Sequence, residues 1–222
     1  MLKIGHRGAR AYEPENTLLS FKKALDLGVN AVELDVRRTK DGKLVVIHDE
    51  KVDRTTDGEG LVRELTLEEI KQLTTEKGQK IPTFEEALDF LDKKVKILIE
   101  LKETGIEEQV VQAVQERGLV ENVLVISFLE EALRKVKALN KSIETGFIYV
   151  RHKNPIKTAL ELGASYLLPL YRFTHTRNVQ KAHENGLKII VWTINKREEA
   201  LEYIKKGVDG ITSDKPDILK AE

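Results

Sequence analysis

Short apolar runs alternate with longer amphipathic segments along most of this chain. Each run is four to six residues long and rich in Val, Ile, Leu or aromatic residues, which is typical of strands that a parallel sheet buries on both faces. The runs are KIGH (3–6), AVELDV (31–36), KILIEL (96–101), VLVISF (123–128), TGFIYV (145–150), YLLPLY (166–171), KIIVWT (188–193) and DGITSD (209–214).

The segments between these runs carry apolar residues at helical spacing. In residues 17–28, Leu18, Phe21 and Leu25 fall on one face and Gly28 ends the helix. Segments of the same form are residues 83–94, 107–118, 129–140, 154–163, 176–186 and 196–207. Strands that alternate with helices predict either a (β/α)8 TIM barrel or an open doubly wound sheet. Eight regular units in only 222 residues favour the closed barrel.

One segment interrupts this alternation. Asp41-Gly42 lies between two β-like runs and is a strong signal for a hairpin turn. We therefore expect LVVIHD (44–49) to return antiparallel beside the second strand instead of joining the barrel. The chain is predicted to be a single domain over residues 1–222, in which residues 38–80 form this hairpin and a small polar insertion.

The turn also predicts which side chains meet. A two-residue turn at Asp41 and Gly42 would place residues whose numbers sum to 83 opposite each other. Asp35 would then face His48, and Glu33 would lie on the same face of the sheet. A shift of one residue in this register would turn His48 to the opposite face.

Three carboxylates are predicted to meet at the ends of neighbouring strands. Glu33 and Asp35 end the second run, and Glu100 ends the next barrel strand. Carboxylates in such a place repel each other and are costly to desolvate, so they require a cation. Three oxygen donors suit Ca²⁺ or Mg²⁺. A salt-bridge cluster with Arg37 or Lys102 is the alternative.

Basic groups and imidazoles are expected at the same rim. His6 ends the first strand and is followed by Arg7, within the glycine-flanked motif GHRG. His6 and His48 could exchange protons near neutral pH, while Arg7 and Lys102 offer positive charge for an anion such as phosphate. This set of residue types predicts a site for a phosphate ester.

The composition limits the partners and the compartment. The 37 basic and 37 acidic residues cancel, so the overall charge gives no reason to expect nucleic acid or an anionic membrane as a partner. The lack of cysteine excludes disulfides and thiolate metal sites. Without a signal-peptide pattern or a run of about 18 apolar residues, we expect a cytoplasmic protein with no stable membrane association.

A series of short motifs follows a fixed order along the chain. The motifs are HRG (6–8), PENT (14–17), ELD (33–35), HD (48–49), DRTTDGEG (53–60), LTLEEIKQL (65–73), IPTFEEAL (81–88), ELK (100–102), SF (127–128), VWTIN (191–195) and GITSDKPD (210–217). In this order they resemble the motifs of the glycerophosphodiester phosphodiesterase family. Together they span nearly the whole chain. The resemblance implies a TIM-barrel hydrolase in which His6 and His48 form the acid/base pair.

The same resemblance implies the other roles in the site. Glu33, Asp35 and Glu100 would bind the divalent metal, Mg²⁺ or Ca²⁺, while Arg7 and Lys102 would hold the phosphate of a small-molecule substrate.

Three further residues receive roles by resemblance. Glu15 would support substrate binding, although it could also be a negative charge at a helix N-terminus. Phe128 and Trp192 would form an apolar wall for the glycerol side, with ordinary barrel core as the alternative. Asp214 lies at a strand end, where it could orient groups around the site or cap the helix that begins near Pro216, and we favour the cap.

The resemblance implies hydrolysis of glycerophosphodiesters to sn-glycerol 3-phosphate and an alcohol. One alternative is a lysophospholipase D-like activity on a lipid with a single acyl chain, which would need an exposed apolar entrance. The polar insertion sequence RTTDGEGLVRELT argues against such an entrance there. A non-catalytic phosphate-binding barrel is the other alternative, and it would be expected to lack a histidine or a carboxylate.

Overall fold

Eight parallel strands close into a barrel in the computed structural model of this protein, which describes residues 1–220. The barrel closes because the first strand pairs with both the second and the last. The strands are β1 (Leu2–Gly5), β2 (Ala31–Arg38), β3 (Leu44–Val46), β4 (Lys96–Leu101), β5 (Val123–Ser127), β6 (Glu144–Tyr149), β7 (Tyr166–Pro169), β8 (Lys188–Val191) and β9 (Gly210–Ser213). All except β3 belong to the barrel, so the prediction of a (β/α)8 TIM barrel is confirmed.

Helices connect the barrel strands, as the amphipathic segments predict. They are α1 (Leu18–Asp26), α2 (Leu67–Gln72), α3 (Phe84–Leu91), α4 (Glu107–Glu116), α5 (Glu130–Leu139), α6 (Pro155–Glu161), α7 (Thr176–Glu184) and α8 (Arg197–Lys205). Thr83 starts α3 with a capping box, because its hydroxyl accepts from the Glu86 amide and the Glu86 carboxylate accepts from the Thr83 amide. No helix within residues 1–220 is long and apolar enough to cross a membrane.

Alternation along the strands divides the core into an inner and an outer layer. Side chains that point into the barrel form one cluster, and their neighbours pack outward against the helices. The inward-facing cluster contains Ile4, Ala31, Leu98, Leu124, Ile126, Ile148, Tyr166, Leu168 and Ile190. Two residues further along each strand, the same alternation brings a side chain to the carboxyl-end mouth of the barrel.

The hairpin forms, but its register differs from the prediction by one residue. Strand β3 pairs antiparallel with β2, and the opposed residues sum to 82, as in Val36 with Val46. The turn has three residues instead of two, with Gly42 at φ +78°, a conformation that Asp-Gly also favours in three-residue loops. Asp35 therefore lies opposite Ile47, whose amide donates to the Asp35 carbonyl at 3.0 Å. The predicted pairing of Asp35 with His48 is wrong.

The segment after the hairpin packs on β3 through its own apolar cluster. This cluster consists of Val45, Ile47, Val52, Val62, Ile70 and Ile81. Residues 51 to 80 contain α2 and two short 3₁₀ turns, Val62–Glu64 and Glu76–Gly78. The insertion is thereby fixed beside β2, next to the mouth of the barrel.

Candidate active site

The three acidic residues predicted to bind a metal lie together at the mouth of the barrel. Glu33 and Asp35 point inward from β2 and Glu100 points inward from β4, because they continue the alternation set by Ala31 and Leu98. Each offers a carboxylate oxygen within 4.8 Å of the others, and all three are buried.

Burial and mutual repulsion change the protonation of these carboxylates. Burial raises the pKa of Glu33 well above its usual value and that of Glu100 to about 7, and the neighbouring charge of Asp35 adds to both shifts. Burial opposes ionisation of Asp35 as well, but Arg7 and Lys102 outweigh it and lower the pKa of this carboxyl. The three groups cannot all be ionised at low cost without further positive charge.

The trio retains unused oxygen atoms that suit a cation. Glu33 Oε1 and Asp35 Oδ1 are buried and have no hydrogen-bond partner. The alternative salt-bridge cluster exists in part, since Lys102 Nζ lies 2.6 Å from Glu100 Oε1. Arg37 does not join it and instead lies 3.7 Å from Glu103. Asp35 Oδ1 also lies 3.6 Å from Lys102 Nζ, beyond hydrogen-bond distance. Buried hard oxygen donors without a hydrogen-bond partner fit a divalent cation such as Mg²⁺ or Ca²⁺.

Each of the two histidines is held by a carboxylate. His6 Nδ1 lies 2.6 Å from Asp214 Oδ1, and His48 Nδ1 lies 2.6 Å from Asp49 Oδ1. Both contacts engage Nδ1, so Nε2 is the nitrogen left for other partners. His6 Nε2 is 3.9 Å from Glu33. Burial is the largest influence on His48 and lowers its pKa.

His48 lies at the mouth of the barrel for a different structural reason from the one predicted. Strand β3 ends at Val46, so His48 lies beyond the paired part of the hairpin and the register no longer determines its direction. Arg37 Nε donates to the His48 carbonyl at 2.8 Å and fixes the chain there. His48 and His6 consequently line one cavity, although the geometric reason given for their meeting was wrong.

The GHRG motif forms a tight turn that aims Arg7 at the acidic trio. Arg7 has φ +50° and Gly8 has φ +85°, and a Cβ on Gly8 would collide with Ser20. The Arg7 amide donates to Glu33 Oε2 at 2.8 Å. Its guanidinium lies 3.2 Å from Asp35 and donates to Glu15 at 2.7 Å. Arg7 therefore contacts the trio through both its backbone and its side chain.

The opposite side of the mouth is apolar. A cavity of about 180 Å³ is bounded by the two histidines, Glu33 and Glu100 on one side and by Ile126, Ile148 and Leu168 on the other. Phe128 and Trp192 complete the apolar side and meet edge to face at 5.8 Å. Both line this cavity. Trp192 also packs against the inward-facing barrel cluster, whereas Phe128 is exposed. A larger cleft of about 610 Å³ lies nearby, between residues 10–15 and the insertion, but neither histidine lines it.

The chain matches the model of the glycerophosphoryl diester phosphodiesterase family over residues 6–218. It belongs to this family. A glycerophosphodiester phosphodiesterase of Caldanaerobacter subterraneus subsp. tengcongensis is 42% identical over 232 residues, which cover 98% of this chain and 96% of the relative. The family, the barrel and the enzyme class predicted from the sequence are confirmed.

Solved structures of family members share the whole fold. A glycerophosphodiester phosphodiesterase from Agrobacterium tumefaciens superposes with a TM-score of 0.90 at 30% identity, with 98% of each chain covered. A phosphodiesterase from Oleispira antarctica, solved in complex with the product sn-glycerol-3-phosphate, has a TM-score of 0.88 at 32% identity. That comparison covers 96% of this chain and 93% of the other.

In this family member, Asp214 holds a histidine and does not cap a helix. Its carboxylate contacts His6 and accepts from Asn195 Nδ2 at 2.7 Å, while Lys215 occupies the cap position of the short helix Pro216–Leu219. The expected helix cap is wrong. Strand alternation could have found this role, because Asp214 follows the cavity-lining Thr212 by two residues.

Sequence reasoning also missed Arg54 of the insertion. Its guanidinium donates to Asp49 at 2.6 Å through Nε and to Glu15 at 2.7 Å through Nη2. Burial opposes ionisation of Glu15, but the hydrogen bonds from Arg54 and Arg7 prevail and lower the pKa of Glu15 to about 2. Glu15 thus bridges two arginines, and the arginine of the DRTTDGEG motif was the available signal.

Proposed function

We propose that this chain hydrolyses glycerophosphodiesters to sn-glycerol 3-phosphate and an alcohol, with a divalent cation and two histidines. One observation carries the proposal. His6, His48, Glu33, Glu100 and Lys102 all line a single cavity at the mouth of the barrel. The Oleispira antarctica relative, which was solved with sn-glycerol-3-phosphate, supports the same substrate class here.

The acidic trio would hold the cation. Glu33, Asp35 and Glu100 supply its oxygen ligands, and the unpartnered buried oxygens of Glu33 and Asp35 are the observation that fits it. When bound, Mg²⁺ or Ca²⁺ would polarise a phosphate or hydroxyl oxygen and lower the pKa of that hydroxyl. Arg7 and Lys102 would add positive charge for the phosphate oxygens.

The histidines would move the protons. His6 Nε2 accepts the proton of the glycerol hydroxyl next to the phosphate, and the oxygen of that hydroxyl attacks phosphorus. His48 Nε2 donates a proton to the departing alcohol. The cyclic phosphate that results is opened by water with the two roles reversed. Direct attack of water on the diester is the competing route. Asp214 and Asp49 hold Nδ1 of the two rings and so keep each Nε2 directed at the reaction.

The remaining predicted residues shape the site. Phe128 and Trp192 would pack against the apolar edge of the glycerol, and Trp192 is fixed there because its Nε1 donates to the Leu168 carbonyl at 2.7 Å. Glu15 would act through Arg7, whose guanidinium it holds.

Turnover of glycerophosphocholine by histidine variants tests this function. His6→Ala and His48→Ala are each expected to lower kcat about 10²–10⁴-fold, the usual contribution of positioned proton transfer. His183→Ala is the control, because this exposed histidine pairs with Asp209 away from the cavity. Exhaustive chelation should abolish activity, and added Mg²⁺ or Ca²⁺ should restore it. Normal turnover in either active-site variant, or in protein shown to be metal-free, would contradict the proposal.

One observation favours lysophospholipids as a second substrate class. Phe128, Leu129 and Val150 are exposed on the loops after β5 and β6. These side chains, and not the insertion, would form the apolar entrance that such lipids require. Release of the headgroup alcohol from lysophosphatidylcholine, compared with glycerophosphocholine, tests this activity. The non-catalytic alternative loses its basis, since both histidines and the three carboxylates are present and close together.

A further inference from the structure

Positive charge is concentrated in one part of this electrically balanced chain. Between Glu144 and Glu184 the only acidic residue is Glu161. The same stretch contains six basic residues, namely Arg151, Lys153, Lys157, Arg172, Arg177 and Lys181. The net charge of the whole chain is +0, so this excess is a local property of the segments around β6 and β7.

Three of these basic side chains stand beside exposed apolar ones at the mouth of the barrel. The loop after β6 carries Val150 and the loop after β7 carries Phe173, with exposed fractions of 43% and 40%. The Arg151 guanidinium lies 4.2 Å from the centre of the Phe173 ring, so the two loops meet. We call the surface formed by Val150, Arg151, Lys153, Arg172 and Phe173 the basic rim.

The charges of the basic rim are not neutralised within the protein. Among residues 1–220, no carboxylate lies within 4.0 Å of the charged nitrogens of Arg151, Lys153 or Arg172. The arginines on the other side of the mouth differ, since Arg7 and Arg54 each contact two carboxylates. Glu199 lines the same surface pocket as Arg172, but it lies beyond ion-pair distance.

We propose that the basic rim docks reversibly on an anionic phospholipid surface. Phe173 and Val150 would enter the interface, and Arg151, Lys153 and Arg172 would contact lipid phosphates. Attraction of a small anionic substrate would account for the charge alone, but not for exposed apolar side chains interleaved with it. That combination is the signature of an interfacial surface. Docking would bring the mouth of the barrel to the membrane without any spanning segment.

Sedimentation with vesicles tests the docking surface. The intact protein should sediment with vesicles that contain phosphatidylglycerol, but not with phosphatidylcholine alone, and added salt should weaken the binding. Arg151→Glu combined with Arg172→Glu should reduce binding about tenfold or more, because each change reverses a charge at the surface. Phe173→Ser should weaken the binding that persists at high salt.

A matched control lies at the other end of the barrel. Leu139, the last residue of α5, and Lys141, in the connection to β6, are both exposed. Leu139→Ser combined with Lys141→Glu should leave vesicle binding unchanged. The proposal would be overturned if the parent protein did not bind phosphatidylglycerol vesicles. It would also be overturned if this control lost as much vesicle binding as the variants of the basic rim. If Phe173→Ser leaves vesicle binding intact at every salt concentration, the surface is a general polyanion site. That result would also overturn the proposal.

The docking surface and the proposed hydrolysis can fail separately. Arg151, Arg172 and Phe173 are outside the catalytic cavity, so their variants should hydrolyse soluble glycerophosphocholine within about twofold of the parent rate, the scatter expected of surface changes away from a site. Loss of vesicle binding with retained hydrolysis is therefore the expected result. A variant that loses hydrolysis of the soluble substrate as well would place these residues in the active site and contradict the assignment.

Discussion

Replacing Asp214 by Asn should weaken the orientation of His6, and it also removes the negative charge that faces Arg10 Nε at 3.4 Å. Asp214 Oδ1 faces His6 Nδ1 at 2.6 Å, and Oδ2 accepts from Asn195 Nδ2 at 2.7 Å. An amide has one acceptor and one donor end, so it cannot accept from both neighbours. Asn195 cannot turn to compensate, because its Oδ1 already accepts from the Asp214 amide at 2.9 Å. One contact must be lost in either orientation of the new side chain.

The expected size of the effect follows from the hydrogen bond to His6. Loss of a charge-assisted hydrogen bond costs about 1.5–3 kcal/mol, which corresponds to a fall of about 10- to 150-fold in kcat/KM. If the new amide nitrogen faces His6, Nδ1 must accept instead of donate and the proton moves to Nε2. His6 could then no longer take a proton from the substrate. The fall in kcat would approach the roughly 10⁴-fold that follows when the catalytic histidine of a serine-protease triad is held in the wrong tautomer.

The assay is the release of glycerol 3-phosphate from glycerophosphocholine at several substrate concentrations. Asp214→Asn should lower kcat with little change in KM, since the residue acts through His6 and does not touch substrate. Asp217→Asn is the matched control, because Asp217 lies three residues later in the short helix Pro216–Leu219 and its carboxylate accepts from the Tyr12 hydroxyl at the surface. The reasoning is refuted if Asp214→Asn keeps kcat near the parent value, or if only its melting temperature changes.

Two further outcomes follow from the charges around the site. In cation-free protein, Glu100 has a pKa of about 7 against 4.5 for an ordinary glutamate, so the folded state keeps a proton that the unfolded state has lost between these values. The free energy of unfolding should therefore fall as the pH rises from about 4.5 to about 7. Thermal melts at several pH values should show that Mg²⁺ or Ca²⁺ reverses this slope and that Glu100→Gln flattens it. An unchanged slope in Glu100→Gln would refute the raised pKa of Glu100. Arg54→Ala should lower kcat about tenfold, the equivalent of one charged hydrogen bond, and added guanidinium should partly restore kcat by entering the cleft that Arg54 lines. The control Arg117→Ala breaks an Arg–Asp pair elsewhere and should not change kcat, with or without guanidinium. Equal effects in both variants would contradict the role of Arg54.

Strand alternation explains why so much of the site was predictable. Parallel strands of a barrel end at one rim, and a side-chain period of two then decides which residues point into the mouth. His6, Glu33, Asp35, Glu100, Lys102, Phe128 and Trp192 all fall on inward positions that continue the barrel core. Neither the period nor the rim depends on loop conformation, so both can be inferred from apolar runs alone.

Features that depend on loops were predicted less well. Asp41-Gly42 is compatible with a turn of two or three residues, and the choice between them moved the register by one. His48 nevertheless reached the cavity because Arg37 fixes its carbonyl after the strand ends. The contact of Asp214 with His6 joins residues 208 positions apart. Strand alternation brings Asp214 to the mouth of the barrel but does not identify the partner that it meets there.

Glu15 shows why the insertion and the first loop of the barrel must be considered together. Its two oxygens accept from Arg7 and from Arg54, and Arg54 in turn donates to Asp49, the partner of His48. Loss of Glu15 would therefore release an arginine beside the acidic trio and also weaken the support of His48. Because a single half-buried carboxylate holds both arginines, Glu15 fixes the phosphate-binding side and the proton-transfer side of the proposed site relative to each other.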